Sequence, residues 1–196
     1  DVSAGGKVDR VDECDGLVRV IDYKTGNISY TAEEYYAGVK LQLPLYLLAA
    51  SKGKRPAGAY YFPANVEFGD KPAGDFTLKG FMDCGEEVVR NTDKTIKDKE
   101  RSAFVDAYLN GRQLAGGLPE EDFSDFIAYS ALIAKRGAKE MFGGNIAPSP
   151  FTGACDYCKM GGMCGFAAGP DSRPRSVDGI TCADVARIVK KLRGEE

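Results

Sequence analysis

Histidine is absent from this 196-residue sequence. Its absence excludes a histidine general base, an imidazole-activated nucleophile and any histidine metal ligand within the chain. Acid–base or metal chemistry must therefore use carboxylates, lysine, tyrosine or cysteine. Long apolar runs are missing too, since no stretch approaches the roughly 18 residues that a membrane-spanning helix needs. No signal peptide opens the chain, and we expect no membrane partner.

An excess of positive charge is also missing, because 26 Lys and Arg stand against 29 Asp and Glu, for a net charge of −3. Nucleic-acid-binding proteins usually carry a basic surface. A local basic patch is nevertheless enough to attract an anionic substrate, so this balance does not exclude DNA. The six cysteines lack the regular spacing of a small secreted disulfide framework, which favours a reducing, cytoplasmic compartment.

The pattern of apolar residues predicts one α/β domain with a hydrophobic core. Asp15-Gly16 is a hairpin signal between two alternating segments, which predicts strands at 5–13 and 17–25. Further strands are predicted at 57–63 and 76–84.

Helices are predicted at 31–52, over most of 85–115, at 119–142 and at 182–193. In the first of these, Leu41, Leu45 and Leu48 form one apolar stripe, and Pro44 starts or kinks the helix. Residues 166–178, rich in Gly, Pro, Ser and Arg, are predicted to be a loose linker.

A carboxylate and lysine cluster follows from the hairpin. A tight turn at Asp15-Gly16 pairs residue 14 with 17, which sets Asp9 opposite Asp22 and Lys7 opposite Lys24. Opposed side chains in such a pair are about 5 Å apart at Cβ, so two carboxylates repel unless a cation lies between them. Mg²⁺ or Mn²⁺ would resolve this repulsion, and Lys24 could orient an attacking water for phosphodiester hydrolysis.

The alternative interpretation of Asp22 and Lys24 is a solvated surface pair. Val11, Val18 and Val20 are predicted on the same face, which makes it at least partly buried, and a buried acidic pair is costly without a partner. Asp12 is predicted opposite Arg19 on the other face, where with Arg10 it needs no role beyond a cross-strand salt bridge.

Two further sets of residues do not identify a function by themselves. Gln42 and Tyr46 are four residues apart and share one helix face, which is compatible with ordinary packing. The spacing Cys155-x2-Cys158-x5-Cys164 indicates a metal or cluster site, and it leaves zinc and iron–sulfur both open.

Together these motifs resemble the RecB-type nucleases of the PD-(D/E)XK superfamily, and within it the C-terminal nuclease domain of the AddB (RexB) family. The resemblance covers roughly residues 5–166, and the ordered set is specific although Asp-x-Lys alone is not. It rests on Gly6-Lys7-Val8-Asp9-Arg10-Val11-Asp12, Ile21-Asp22-Tyr23-Lys24-Thr25-Gly26, Gln42-Leu43-Pro44-Leu45-Tyr46, Pro148-Ser149-Pro150-Phe151 and the three cysteines.

The resemblance implies a restriction-endonuclease-like core, a mixed sheet of four or five strands flanked by helices, with helical additions from residue 85. It implies that Asp9 and Asp22 ligate Mg²⁺ or Mn²⁺ by their carboxylates, Tyr23 by its backbone carbonyl, and that Lys24 positions the attacking water. Gln42 and Tyr46 match the family's Gln-x3-Tyr motif, which supports the site and the DNA strand.

The implied function is exonuclease cleavage of unwound single strands in double-strand-break processing and recombinational repair. An AddA-type helicase–nuclease is the implied heterodimer partner, in the bacterial cytoplasm. The runner-up is a CRISPR-associated RecB-like exonuclease, which shares the fold and the C-terminal cysteines. A third interpretation is a non-catalytic DNA-binding or scaffold copy of the fold, against which the intact Asp9, Asp22 and Lys24 argue.

Two family features are missing from this sequence. The family carries an acidic or histidine motif on a helix before the first strand, so we expect a fragment that can itself be inactive. The resemblance also implies a [4Fe–4S] cluster on Cys155, Cys158, Cys164 and a fourth, upstream cysteine. Since only three are present, we expect the cluster to be absent or incomplete here.

The expected organisation has four parts. Residues 1–84 form the nuclease core, 85–147 a helical region of the same domain, 148–166 the iron–sulfur cysteine segment, and 167–196 the linker and C-terminal helix.

Overall fold

A mixed four-stranded sheet lies at the centre of the computed structural model, which describes residues 3, 5–64, 76–105, 107–110, 113–115, 117–166 and 173–194. Its strand order is β1-β2-β3-β4. β1 (Arg10–Cys14) and β2 (Leu17–Lys24) are antiparallel, β3 (Arg55–Pro63) runs parallel to β2, and β4 (Lys79–Met82) is antiparallel to β3. This sheet, flanked by helices, confirms the predicted α/β class.

The hairpin turn between β1 and β2 fixes the register. Asp15 (φ +50°) and Gly16 (φ +79°) both have the left-handed conformation that a two-residue type I′ turn requires. Cys14 pairs with Leu17, as predicted. The predicted strand 5–13 is wrong in its first half, because β1 begins only at Arg10. Asp9 therefore reaches β2 by its side chain and not as a paired strand residue.

Helices α1 (Ala32–Tyr36) and α2 (Gln42–Ser51) replace the single helix predicted at 31–52. Gly38, at φ +81°, turns the chain after α1. Pro44 lies in the first turn of α2, where its missing N–H is not needed. The predicted stripe is wrong as well, since Leu43 and Leu47 are the buried leucines and Leu48 is 40% exposed.

The main core lies between one face of the sheet and the helices α1, α2, α4 (Glu120–Phe142) and α6 (Cys182–Arg193). Val18 and Val20 are 1% and 0% exposed, whereas Val11 is 48% exposed, since it lies on β1 at the edge of the sheet. α6 begins in a Thr181–Asp184 capping box and packs on α4. The core residues are Val18, Val20, Tyr35, Leu43, Leu47, Ala59, Tyr61, Phe123, Phe126, Ile127, Tyr129, Val185, Ala186 and Val189.

The segment after β4 covers the other face of the sheet. The prediction that most of 85–115 is helical is wrong. Among the described residues of that range only α3 (Glu86–Thr92) is helical, and β5 (Tyr108–Asn110) pairs antiparallel with β6 (Gln113–Ala115). The buried Asp93 carboxylate explains the change, because it accepts hydrogen bonds from Thr95, Ser102 and the Ala103 backbone. Such side-chain acceptors organise loops in competition with helix.

The C-terminal part holds the cysteines on an irregular segment with one short helix, α5 (Gly161–Cys164). A bridge from Phe151 to Arg175 fastens this segment to the chain before α6. Of the predicted linker 166–178, residues 167–172 lie outside the described residues. The described helices include none that is long and apolar enough to cross a membrane.

Candidate active site

Asp22 and Lys24 lie at the C-terminal end of β2, on the face that packs against the helices. The Asp22 residue is only 6% exposed, because its strand runs between β1 and β3. Lys24 Nζ lies 2.6 Å from Asp22 Oδ2, and 40% of its side chain is exposed. This contact with the carboxylate raises the pKa of Lys24, so the side chain is an ammonium ion at neutral pH and suits orientation of a ligand better than proton abstraction.

Asp9 joins the site from the segment before β1. Its Oδ2 accepts a hydrogen bond of 3.1 Å from the backbone N–H of Tyr23, the residue between Asp22 and Lys24. Its charge also acts on Lys24 and contributes to the raised pKa of that ammonium. The Asp9 carboxylate thus satisfies a backbone N–H of β2 beyond the last residue pair of the β1–β2 ladder.

One oxygen of this cluster has a single close partner. Among the described residues, buried Asp22 Oδ2 is approached only by the Lys24 ammonium, at 2.6 Å, and accepts no hydrogen bond of good angular geometry. A buried carboxylate with so few partners is costly, and a hard cation with oxygen ligands is a further partner that such an atom accommodates. The Asp9 and Asp22 carboxylates therefore fit a divalent metal ion.

Tyr61 is a member of the site that the sequence did not indicate. It is the parallel register partner of Asp22 on β3, and its ring lies 5.5 Å from Lys24 Nζ in a cation–π contact. Burial raises the pKa of the Tyr61 phenol, while the nearby Lys24 charge opposes that rise. The sequence could have assigned Tyr61 to the site only if the pairing of β2 with β3 had been known, because that pairing sets which side chains of 57–63 lie beside Asp22.

Gln42 and Tyr46 are brought together near this end of the sheet. Gln42 Nε2 donates a 3.2 Å hydrogen bond to the Tyr46 hydroxyl. The Tyr46 ring lies against the backbone of Gly6, where an added Cβ would stand 2.6 Å from ring atom Cε1. A larger residue at position 6 would displace the Tyr46 ring. Tyr46 thus contacts the segment that carries Asp9.

Cys155, Cys158 and Cys164 are free and exposed on the segment after α4. Within the part of the chain that the structure describes, no three His, Cys, Asp or Glu side chains are arranged to hold a metal ion. The three thiols therefore do not fit an iron–sulfur cluster in this structure.

Comparison with known proteins gives the chain's family. A family model described as the PD-(D/E)XK nuclease superfamily matches residues 2–165. The B subunit of the ATP-dependent helicase/deoxyribonuclease of Caldanaerobacter subterraneus subsp. tengcongensis is 31% identical over 192 residues, covering 82% of this chain and 16% of that protein.

Two further relatives of the same name extend the similarity. The one from Alkaliphilus metalliredigens is 27% identical over 219 residues, with 95% of this chain and 19% of the relative covered. The one from Clostridioides difficile is 26% identical over 224 residues, with 97% and 19% covered. The chain spans less than a fifth of the length of these relatives.

Proposed function

The chain belongs to the PD-(D/E)XK nuclease superfamily, and we propose that it is a divalent-metal-dependent exonuclease of single-stranded DNA. The observation that carries this proposal is the buried carboxylate of Asp22, paired with the Lys24 ammonium, with Asp9 bonded to the backbone N–H of the residue between them. Such a costly arrangement is typical of a functional site, since folding alone would favour an apolar residue there.

The chain's own residues have separate tasks in this proposal. The Asp9 and Asp22 carboxylates and the Tyr23 backbone carbonyl would hold Mg²⁺ or Mn²⁺. When bound, the cation lowers the pKa of water and neutralises charge on the phosphate. The Lys24 ammonium orients the attacking water and attracts the phosphate. Gln42 and Tyr46 support the Asp9 segment and the DNA strand.

Tyr61 holds the Lys24 ammonium over its ring. We expect Tyr61→Leu to lower kcat about tenfold with KM nearly unchanged, because a partly buried cation–π contact contributes about 0.5–2 kcal/mol. Tyr61→Phe keeps the ring face and is expected to cleave close to the wild-type rate. Steady-state cleavage of a labelled oligonucleotide distinguishes the two. An equal loss in both variants would assign the role to the hydroxyl instead of the ring.

Cleavage of a 5′-labelled single strand in Mg²⁺ or Mn²⁺, with EDTA as the blank, tests the nuclease proposal. Lys24→Met is expected to lower kcat about 100-fold, the usual effect of removing a group that acts on the transition state. Lys135→Met, an exposed lysine of α4, is the matched control and should stay within about twofold. Cleavage that persists in EDTA, or that Lys24→Met leaves unchanged, contradicts the proposal.

The biological setting that we propose is an AddAB-type helicase–nuclease in the bacterial cytoplasm. The relatives are each named as the B component of an ATP-dependent helicase/deoxyribonuclease. These names support a second, helicase-containing subunit as partner and unwound DNA as substrate. An AddA-type protein as that partner, and a role in break-end processing and recombinational repair, are further parts of the proposal. The same names favour this setting over a CRISPR-associated exonuclease.

The cluster prediction is separate from the nuclease proposal. The exposed Cys155, Cys158 and Cys164 do not form a metal site among the described residues. A [4Fe–4S] cluster in a longer protein, completed by a cysteine from outside this chain, stays a prediction.

A further inference from the structure

A groove of about 360 Å³ lies on the face of the sheet opposite Asp22. Side chains alternate along a strand, so Arg19 and Tyr23 of β2 point to this face while Asp22 points away from it. The parallel register pairs Tyr23 with Phe62 on β3. One wall of the groove is thus the back of the strand that carries the candidate active site.

Exposed aromatic rings line this groove. Tyr23 is 44% exposed, and Phe76 and Phe104, which also line the groove, are each 52% exposed. The Tyr23 and Phe62 rings meet edge to face with centroids 5.6 Å apart. Aromatic faces left open to solvent in one groove mark a binding site for a partner that carries flat, apolar surfaces.

Arginine supplies the charge of the groove. Arg10 and Arg19 line it, and among the described lining residues there is no carboxylate. Both guanidinium groups contact Asp12 beside the groove, at 2.8 and 2.9 Å, so the trio keeps one net positive charge. Arg10 also donates a 3.4 Å hydrogen bond to the Tyr23 hydroxyl. Planar guanidinium groups stack on nucleobases as well as attracting phosphate.

We propose that this groove binds unstacked bases of single-stranded DNA next to the nuclease site, an inference that rests on the proposed function for its substrate. Aromatic rings combined with positive charge form the common platform for single strands. A duplex does not fit this chemistry, because its base faces are already stacked on one another. Arg10 follows Asp9 directly and Tyr23 lies between Asp22 and Lys24, so the groove and the site share one end of the hairpin.

Binding measured without cleavage tests the groove. Fluorescence anisotropy in EDTA would follow a labelled oligothymidylate and an abasic oligonucleotide of equal length, which keeps the phosphates and lacks the bases. We expect Phe76→Ala and Phe104→Ala each to weaken oligothymidylate binding about tenfold, as removal of a stacking ring does. Abasic and duplex DNA should bind these variants as they bind the wild type. Phe142→Ala is the control, because Phe142 is 82% exposed and lies at the far end of α4.

The outcomes separate this inference from the nuclease proposal. Equal affinity of the wild type for oligothymidylate and abasic DNA would overturn the proposal that the groove binds bases. That result is expected if a protein segment occupies the groove instead. Losses in Phe104→Ala no larger than in Phe142→Ala would also overturn it. If the wild type cleaves DNA and either of these binding results is found, the nuclease proposal stands and the groove proposal is overturned. Base-dependent binding without metal-dependent cleavage supports the groove alone, and it is the result expected if this chain is inactive by itself.

Discussion

Replacing Asp22 with asparagine is expected to lower single-strand cleavage at least about 1,000-fold, since a catalytic metal supplies several kcal/mol of transition-state stabilisation. The same change should leave the free energy of unfolding equal or higher. Asp22 is 6% exposed, and the Lys24 ammonium is the one close partner of its Oδ2 among the described residues, so the amide removes a buried charge that is only partly compensated. Lys24 loses its partner at little cost, because 40% of its side chain already contacts water.

Urea unfolding in EDTA measures the stability of this variant, and a cleavage assay measures its activity. Divalent cations should raise the melting temperature of the wild type and not that of Asp22→Asn, because a ligand stabilises only the state that binds it.

Asp83→Asn is the matched control for this experiment. Asp83 is 0% exposed and accepts two hydrogen bonds from Arg55 and one from the Gly85 N–H, whereas Asp22 pairs with Lys24 alone among the described residues. We expect Asp83→Asn to lose about 1–3 kcal/mol of stability and to keep its cleavage rate in the folded state. If Asp22→Asn destabilised the protein as much as Asp83→Asn, or still cleaved DNA, the functional interpretation of the Asp22 carboxylate would be wrong.

The sequence was enough to predict the features that depend on neighbouring residues, such as the hairpin turn and its register. Asp15-Gly16 sets a turn with two left-handed residues, and this turn alone fixes the β1–β2 register on which the Asp22 face depends. Asp9 was predicted opposite Asp22 by extending that register. The extension was wrong in detail, because the Asp9 carboxylate accepts the Tyr23 N–H that would otherwise continue the ladder.

Residues that meet only through the tertiary fold were not predictable in this way. Tyr61 joins Asp22 because β3 runs parallel to β2, a pairing that no turn between them dictates. The segment after α3 has a helix-like sequence pattern. The Asp93 carboxylate nevertheless accepts hydrogen bonds from this segment that stabilise a loop conformation. Phe104 reaches the back of β2 only because of that loop.

Phe126 is a fully buried residue of the helical layer that packs on the Asp22 face of the sheet. This residue of α4 is 0% exposed, its ring lies 4.3 Å from that of Tyr35 and 4.7 Å from that of Phe81 between centroids, and its carbonyl accepts the Tyr35 hydroxyl. Phe126→Ala is expected to cost about 3–5 kcal/mol, because the lost apolar contacts add to the cavity that remains. That is a large share of the roughly 5–15 kcal/mol that stabilises an ordinary domain.

A lower urea midpoint with an unchanged m-value would verify this cost, and Phe142→Ala, in the same helix but 82% exposed, should change stability by less than about 0.5 kcal/mol. The same variant shows whether the site needs this layer. Asp22 and Lys24 are held by the strand β2, so folded Phe126→Ala should still bind the metal ion. A saturating divalent cation would then raise its free energy of unfolding by as much as in the wild type. A smaller rise would show instead that the packing of α4 positions the carboxylates.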